Sequence, residues 1–194
     1  MNDKILVVNE LPLENYLRGM GEVSESVDVK NYPEKVKALI VSGRSYAYFY
    51  QNPKLSLSER KFQTLLYDIS DDPDESQVYK GYGYELRSPN YRRLVDDTRG
   101  EIVTYKGLPI KVWYFSSSNG QTLSYKEYCE SRGNKNCIDI PYLQSVSDPA
   151  WLWKNRSGHG VGISGIGATY FAREWWDYKK IIQYYMNGVE ISKK

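Results

Sequence analysis

The sequence is poor in the residues from which most enzyme sites are built. It has one histidine, two cysteines and four phenylalanines in 194 residues. It carries no HExxH, no P-loop, no GxGxxG behind a strand and no paired CxxC, so the common zinc, nucleotide and dinucleotide signatures are excluded. No apolar run reaches the ~18 residues of a membrane span. The opening Met1-Asn2-Asp3-Lys4 leads into Ile5-Leu6-Val7-Val8, too short for the apolar stretch and cleavage site of a secretory leader. Net charge is only +2, from 26 basic and 24 acidic residues without a basic stripe, which argues against a nucleic-acid partner.

Tyrosine, by contrast, is abundant. Nineteen tyrosines and five tryptophans suit either a wet, shallow binding surface such as a sugar face, or a semi-polar core. Cys129 and Cys137 lie eight positions apart in YCESRGNKNC. A short-loop disulfide is the favoured reading, with a loop-closure benefit of roughly 2–3 kcal/mol. A metal pair and free thiols are the rivals, although two thiolates need further ligands and no histidine lies nearby. No metal and no cofactor are expected.

Pattern and punctuation predict interleaved strands and helices and hence an α+β class. Residues 4–9 read as a strand and Pro12 to Gly19 as a short helix. The polar run 22–32 reads as a loop. A long helix starts at Pro33 and ends at Asn52-Pro53, with Val36, Leu39, Ile40, Gly43, Ala47 and Tyr50 on one apolar face. Gly43 within that face costs about 1 kcal/mol relative to alanine and marks a place where another backbone presses in. Residues 68–76 form a turn-rich acidic loop. Ser88 is expected to cap a helix running to about Asp97. GEIVTY and LPIKVWYFS flank Lys106-Gly107 as a hairpin. Residues 116–140 are expected to be a long connection, 167–176 and 177–187 two helices, and Val189 to Ile191 a last strand.

Two places could carry chemistry. SGHGVGIS sets the lone His159 among glycines, so either the imidazole reacts or the bare backbone lets something large come close. It is not a nucleophile elbow, which is built around serine. Glu22 follows Gly19-Met20-Gly21, and a partly desolvated glutamate there would hold a proton near neutral pH as a general acid; the other reading is a solvated loop residue.

Several segments, in order, resemble the stage II sporulation protein D/LytB family. PLENYLRGMGEV followed by a helix ending GRSYA is similar to its PLE-x-Y-[LV]-x-G opening and its A-[AG]-R-[ST]-[YF]-A helix end. SQVYKGY is similar to QVY-x-G. DDTRGEIVTYKGLPIKVWYFSSSNGQT resembles the DT-x-G hairpin and the F-S-S-S-x-G-x-T motif. PYLQSVSDP matches PYL-x-x-V-x-D-P, and SGHGVGISGIGATYFA is close to GHGVGMSQ-x-GA-x-x-MA. The resemblance covers roughly residues 5–191 and implies one peptidoglycan-acting domain over 1–194. In that domain a long helix, a hairpin and C-terminal helices would surround a glycan-binding cleft.

The best-described branch of that family consists of lytic transglycosylases that cut peptide-stripped glycan strands. The resemblance puts the catalytic acid on Glu22, in a loop two residues shorter than in many members, with Glu25 as the alternate position. Ile163 and Gly165 stand where the family commonly has methionine and glutamine. A single carboxylate suffices for this chemistry, because the 6-hydroxyl of the muramic sugar attacks its own ring in place of water, whereas ordinary glycosidases need two. Substrate-binding candidates are Arg44, Ser116, Ser117, Ser118, His159 and Ser164. Arg44 would pair with the lactyl carboxylate, orient Glu22, or form a plain ion pair. The serine hydroxyls match sugar hydroxyls and acetamido groups, or form a polar strand end. Tyr46, Tyr79 and Tyr82 would stack on sugar or simply pack. His159 would contact sugar, hold the surroundings of Glu22, or belong to a tight turn seating the next helix on the Gly43 notch. The alternative function is a non-catalytic glycan-binding module that enhances a cell-wall amidase. The implied partners are therefore glycan strands and such an amidase, at an extracytoplasmic location.

Overall fold

A computed structural model describes residues 6–56, 59–63, 66–72, 75–149 and 155–194. Its elements are helices α1 (Leu13–Arg18), α2 (Pro33–Tyr50), α3 (Tyr82–Arg87), α4 (Pro89–Asp97), α5 (Tyr125–Ser131), α6 (Gly165–Arg173) and α7 (Tyr178–Tyr185). The strands are β1 (Glu101–Tyr105), β2 (Leu108–Pro109), β3 (Tyr114–Phe115), β4 (Ile163–Ser164) and β5 (Val189–Lys193). This is the α+β class expected from the sequence.

The long helix α2 organises the packing. It is not amphipathic with a single apolar face, as the spacing suggested, but is buried on opposite sides. Val36 and Ile40, four residues apart, join Leu17, Met20, Tyr91, Leu94 and Val95 in one apolar cluster. Ala38 and Val41 join Val103, Val112, Val161, Ile163, Ile181 and Tyr185 in a second. A helix between two cores must bury polar groups as well, and each of these is satisfied. The hydroxyls of Ser42 and Ser45 donate back to the carbonyls of Ala38 and Val41, at 2.7 and 2.6 Å. Ser45 Oγ also accepts the N–H of Val103, 2.8 Å away, and so docks β1 on the helix. The Gly43 notch receives side chains rather than another backbone. A Cβ there would come within 2.8 Å of Met20 Cε and 3.1 Å of Gln77 Nε2.

Arg44 is fully buried, with 0 % of its surface exposed. Its Nε and Nη2 donate to the two oxygens of Glu14, at 2.9 and 3.0 Å. It also donates to the carbonyls of Glu101 and Val95. Glu14 accepts in addition from the N–H of Gly100. The substrate contact expected of Arg44 is thus replaced by a structural one: the guanidinium joins α1, α2, the end of α4 and the start of β1.

The sheet differs from the expected long hairpin. β1 and β2 do turn at Lys106-Gly107, both at positive φ, but they pair over only two residues. The main partner of β1 is β5, antiparallel from Glu101↔Lys193 to Tyr105↔Val189, so the order is β2-β1-β5. The rest of the expected second arm leaves this sheet. β3 instead pairs in parallel with β4, in register Tyr114↔Ile163 and Phe115↔Ser164. Other expectations also shift. Residues 6–9 form no strand, and 25–29 form a π-helical turn within the expected loop. The connection 116–140 contains α5, opened by a reciprocal cap between Ser124 and Glu127. Cys129 and Cys137 are disulfide-bonded, Cα to Cα 5.7 Å, which ties the end of α5 to the loop behind it.

Because the Arg44–Glu14 pair is buried, removing one partner strands a charge. Glu14→Ala is expected to lower stability by about 3–5 kcal/mol. Asp96→Ala, which breaks the more exposed pair with Arg18, is expected to cost no more than about 1 kcal/mol. Urea unfolding of both variants measures the contrast, and equal losses would contradict it.

Candidate active site

The loop after α1 returns along the segment 77–80. Gly21 N–H donates to the Val78 carbonyl (3.0 Å) and Lys80 N–H to the Gly19 carbonyl (2.9 Å). The glycines flanking Met20 do not leave open backbone around Glu22, as the sequence suggested. The Tyr79 ring covers Gly19 and the Lys80 chain covers Gly21.

This pairing delivers the Val78 N–H to Glu22 Oε1, at 3.2 Å. The same oxygen accepts from the Tyr114 hydroxyl at 2.9 Å. Behind Tyr114 the hydrogen-bond directions are forced. Gln77 Nε2 donates to the carbonyl of Gly43 and to the Tyr114 oxygen, and Gln77 Oε1 accepts from Tyr16 at 2.9 Å. With its oxygen already accepting from Gln77, Tyr114 has its own proton to give to Glu22. Burial, and then the nearby Glu22 charge, hold the Tyr114 hydroxyl well above the usual tyrosine range, so it remains a donor.

Burial pushes the Glu22 carboxyl above the ordinary glutamate range; the bonds from Tyr114 and Val78 oppose this without cancelling it. Among the described residues Glu22 Oε2 has no hydrogen-bond partner, and it is not among their buried unpaired atoms. One oxygen is therefore anchored and the other open. Glu25, the alternate position, is committed elsewhere: its two oxygens accept the N–H groups of Asn90 and Tyr91 and cap α4 in place of the expected Ser88 side chain.

His159 is not free to act as a base. Its Nδ1 accepts from the Val161 N–H (3.1 Å), which leaves the proton on Nε2, and Nε2 donates to the Tyr114 carbonyl (2.9 Å). Trp113, Phe115 and Tyr128 surround the ring at 5.0, 5.6 and 5.9 Å. Burial pulls its pKa down to about 4; Lys111 and Lys61 add to the fall, and the bond to Tyr114 opposes it. The glycines of this turn serve the chain's own strand rather than an approaching polymer. Gly162, at φ +77°, lies so close to the Trp113 carbonyl that any Cβ would clash, which permits the Ile163 N–H to reach that carbonyl at 3.0 Å. The turn is seated on Trp113 to Ser116 and not on the Gly43 notch. Its outer side, with Tyr128, Arg132 and Arg156, lines an open depression of about 400 Å³.

The remaining candidates separate. Ser116 is exposed, while Ser117 and Ser118 are buried. Ser117 exchanges both backbone bonds with Ser157, and Ser118 Oγ accepts from the Gly120 N–H. Ser164 is fully buried and caps α6 by accepting from the Gly167 N–H (3.1 Å), so its expected substrate contact is replaced by a cap. Tyr79 stacks on Tyr16 and Tyr46 packs on Tyr50, whereas Tyr82 is exposed. Sequence reasoning missed Tyr114, Gln77 and Tyr16. Gln77 offered a signal, as an amide in a resembling motif beside two apolar residues; Tyr114 offered none beyond its neighbourhood. Among the described residues no group of three or more His, Cys, Asp or Glu could hold a metal.

Unfolded, His159 binds a proton near pH 6.5; folded, it resists until about 4. Its contribution to stability is complete above 6.5 and is lost as pH falls toward 4, on the order of 3 kcal/mol in all. The raised Glu22 has the opposite sign. His159→Gln is expected to flatten the decline in urea midpoint between about pH 7 and about pH 4.5 relative to the parent; parallel profiles would show that the imidazole protonates freely in the fold.

Comparison with known proteins places this arrangement in context. A family model described as Stage II sporulation protein matches residues 1–105. That span holds Glu14, Glu22, Arg44 and Gln77; Tyr114 and His159 lie beyond it. The stage II sporulation proteins D of Bacillus subtilis (strain 168) and Bacillus amyloliquefaciens are each 30% identical to this chain, over 77% of it and 41% of their own length. An uncharacterized protein of Brachyspira hyodysenteriae is 32% identical, over 98% of this chain and 69% of its own. The chain thus spans about two fifths of the length of the Bacillus relatives.

Proposed function

The chain belongs to the stage II sporulation protein family, and on that premise we propose that it is a lytic transglycosylase of bacterial cell-wall glycan, with Glu22 as its single acid and base. The observation that supports this reading is the asymmetric setting of the carboxyl. Oε1 is pinned by Tyr114 and Val78 and Oε2 is open, in surroundings that favour the protonated form at higher pH than usual. A peptide-free strand, bound with its muramic–glucosamine bridge at Oε2, would take the proton from Glu22 onto the bridging oxygen as the bond to the muramic C1 breaks. The 6-hydroxyl oxygen of the same sugar then bonds to C1, and its proton passes to the carboxylate. The enzyme returns to its starting form, the product carries a 1,6-anhydro ring, and no water is consumed.

Tyr114 serves both stages. Its hydroxyl strengthens its bond to Glu22 when the carboxyl gives up the proton, which stabilises the charge at the moment it forms. Gln77, Tyr16 and His159 act through Tyr114, by fixing its hydroxyl direction and its carbonyl. Exposed Ser116 is the serine placed to meet a ligand. Work on cell-wall glycan would require an extracytoplasmic location; among the described residues no helix is long and apolar enough to cross a membrane.

Digestion of peptide-free glycan, with 1,6-anhydro-muramyl ends counted by mass spectrometry, tests the proposal. Glu22→Gln is expected to lower the rate by about 10²- to 10⁴-fold. Equal product from parent and variant refutes the assignment. Glycan capture without any product points instead to a binding module that assists an amidase. Tyr114→Phe removes a bond that favours the ionised carboxyl, so the Glu22 pKa rises further. The alkaline limb of the pH–rate profile is then expected to move to higher pH, with the rate at its maximum lower by about tenfold.

A further inference from the structure

A second set of polar groups gathers where Lys111 and Lys61 meet the aromatic rings of α2. Lys111 is half-buried, with its ammonium 4.4 Å from the centre of the Trp113 ring and 5.3 Å from that of Tyr50. Lys61 lies over the neighbouring ring, 5.6 Å from the centre of Tyr46, and donates to the Tyr46 hydroxyl oxygen at 3.0 Å. Tyr46 and Tyr50 are one turn apart on α2 and in edge contact at 5.0 Å, so the two cations share one aromatic floor.

Among the described residues the Lys111 ammonium has no hydrogen-bond acceptor, and the Lys61 ammonium has only the Tyr46 oxygen. Apart from Lys111, the buried and half-buried cations among the described residues are matched to carboxylates: Arg18 to Asp96, Lys35 to Asp28, Lys37 to Glu34, Arg44 to Glu14 and Arg60 to Asp68. Among the described residues neither Lys61 nor Lys111 has such a partner. The Tyr46 oxygen accepts from Lys61 and, at 3.4 Å, from Ser76, and among the described residues its own proton has no acceptor. Cation–π contact offsets part of the lost hydration of an ammonium but supplies no negative charge. Burial and the neighbouring Lys61 pull the Lys111 pKa down to about 8. The groups facing Lys111 are therefore another cation, neutral His159 and neutral phenols, an arrangement that an anion would relieve.

We propose that Lys61, Lys111 and the Tyr46 hydroxyl form a carboxylate-binding subsite for the free lactyl group of a muramic residue. The identity of the ligand rests on the glycan reading above; the anion site does not. Lys111 stands three residues before Tyr114 on the same extended segment, so a sugar held here is positioned by the strand that also holds Glu22. A stem peptide converts the lactyl carboxylate to a neutral amide and removes the charge this subsite recognises. The pair of lysines would thereby select stripped strands over substituted ones.

The test uses the full chain in two arms. In the first, acetate is titrated while the Lys111 side chain is followed by NMR. Its pKa is expected to rise from about 8 as acetate binds, and no response of Lys61, Lys111 or Trp113 overturns the subsite. Inorganic phosphate bound in preference to acetate overturns the carboxylate assignment. In the second arm, binding of glycan oligomers with free lactyl groups is compared with binding of the same oligomers converted to methylamides. The free form is expected to bind about tenfold tighter or more, the loss typical of one charge-assisted hydrogen bond, and Lys111→Met is expected to abolish the difference. Lys61→Met, at an exposed position, repeats the measurement should loss of Lys111 disturb the aromatic packing. Glycan binding indifferent to the carboxylate overturns this subsite alone; a response to acetate with no glycan binding overturns the muramic ligand together with the proposed function.

Discussion

Arg44 sets the position of everything around the candidate site. A guanidinium with no exposed surface must find negative charge and acceptors inside the protein, and it does so with Glu14, two backbone carbonyls and the Thr98 hydroxyl. Glu14 holds it from α1, the carbonyls of Val95 and Glu101 from the α4–β1 corner, and α2 carries it. Fixing α1 against α2 in this way fixes the loop that leaves α1, and Glu22 is on that loop. A planar fork of five donors can meet so many acceptors in fixed directions, which a lysine ammonium cannot do.

From this bracket the resembling motifs acquire separate physical tasks. In PLENY, Glu14 answers Arg44 and Tyr16 steadies Gln77. In GRSYA, Gly43 admits Met20 and Gln77, Ser45 docks β1, and Tyr46 carries the floor beneath Lys61. In QVYKG, Gln77 orients Tyr114 while Val78 bonds Glu22. In GHGVG, the imidazole holds the Tyr114 carbonyl and Gly162 permits the strand contact that places it. Most of these residues are therefore supports, and the reactive group is one carboxyl with one open oxygen. The histidine that looked reactive in the sequence is neutral and fully engaged, because both ring nitrogens are needed to hold backbone.

The stretch from Lys111 to Tyr114 shows how one segment can serve two polar environments. Tyr114 is surrounded by groups that direct a proton toward Glu22. Lys111 lies between Tyr50 of α2 and Trp113, whose ring packs on Tyr125, Tyr128 and His159, and among the described residues no carboxylate pairs with it.

Local chemistry alone specified a good deal. Proline at the start of α2 and of α4, the Lys106-Gly107 turn and the β-branched run of β1 each act within a few residues, so those elements were legible from their own composition. Glu22 was legible as a candidate because its order among the motifs carries the family resemblance. Long-range pairing was not legible. β1 chose β5, nearly ninety residues on, over the adjacent arm of its hairpin, and Glu25 capped α4 across 65 positions while Ser88 beside it did not. Helix α5 was missed although Ser124 and Glu127 carry its capping pattern. The roles of Arg44, Ser164 and His159 depended on burial and on which acceptors stood within about 3 Å of them. Those are properties of the assembled chain, since a polar side chain takes the partner that folding brings nearest and the sequence records only the groups it has to offer.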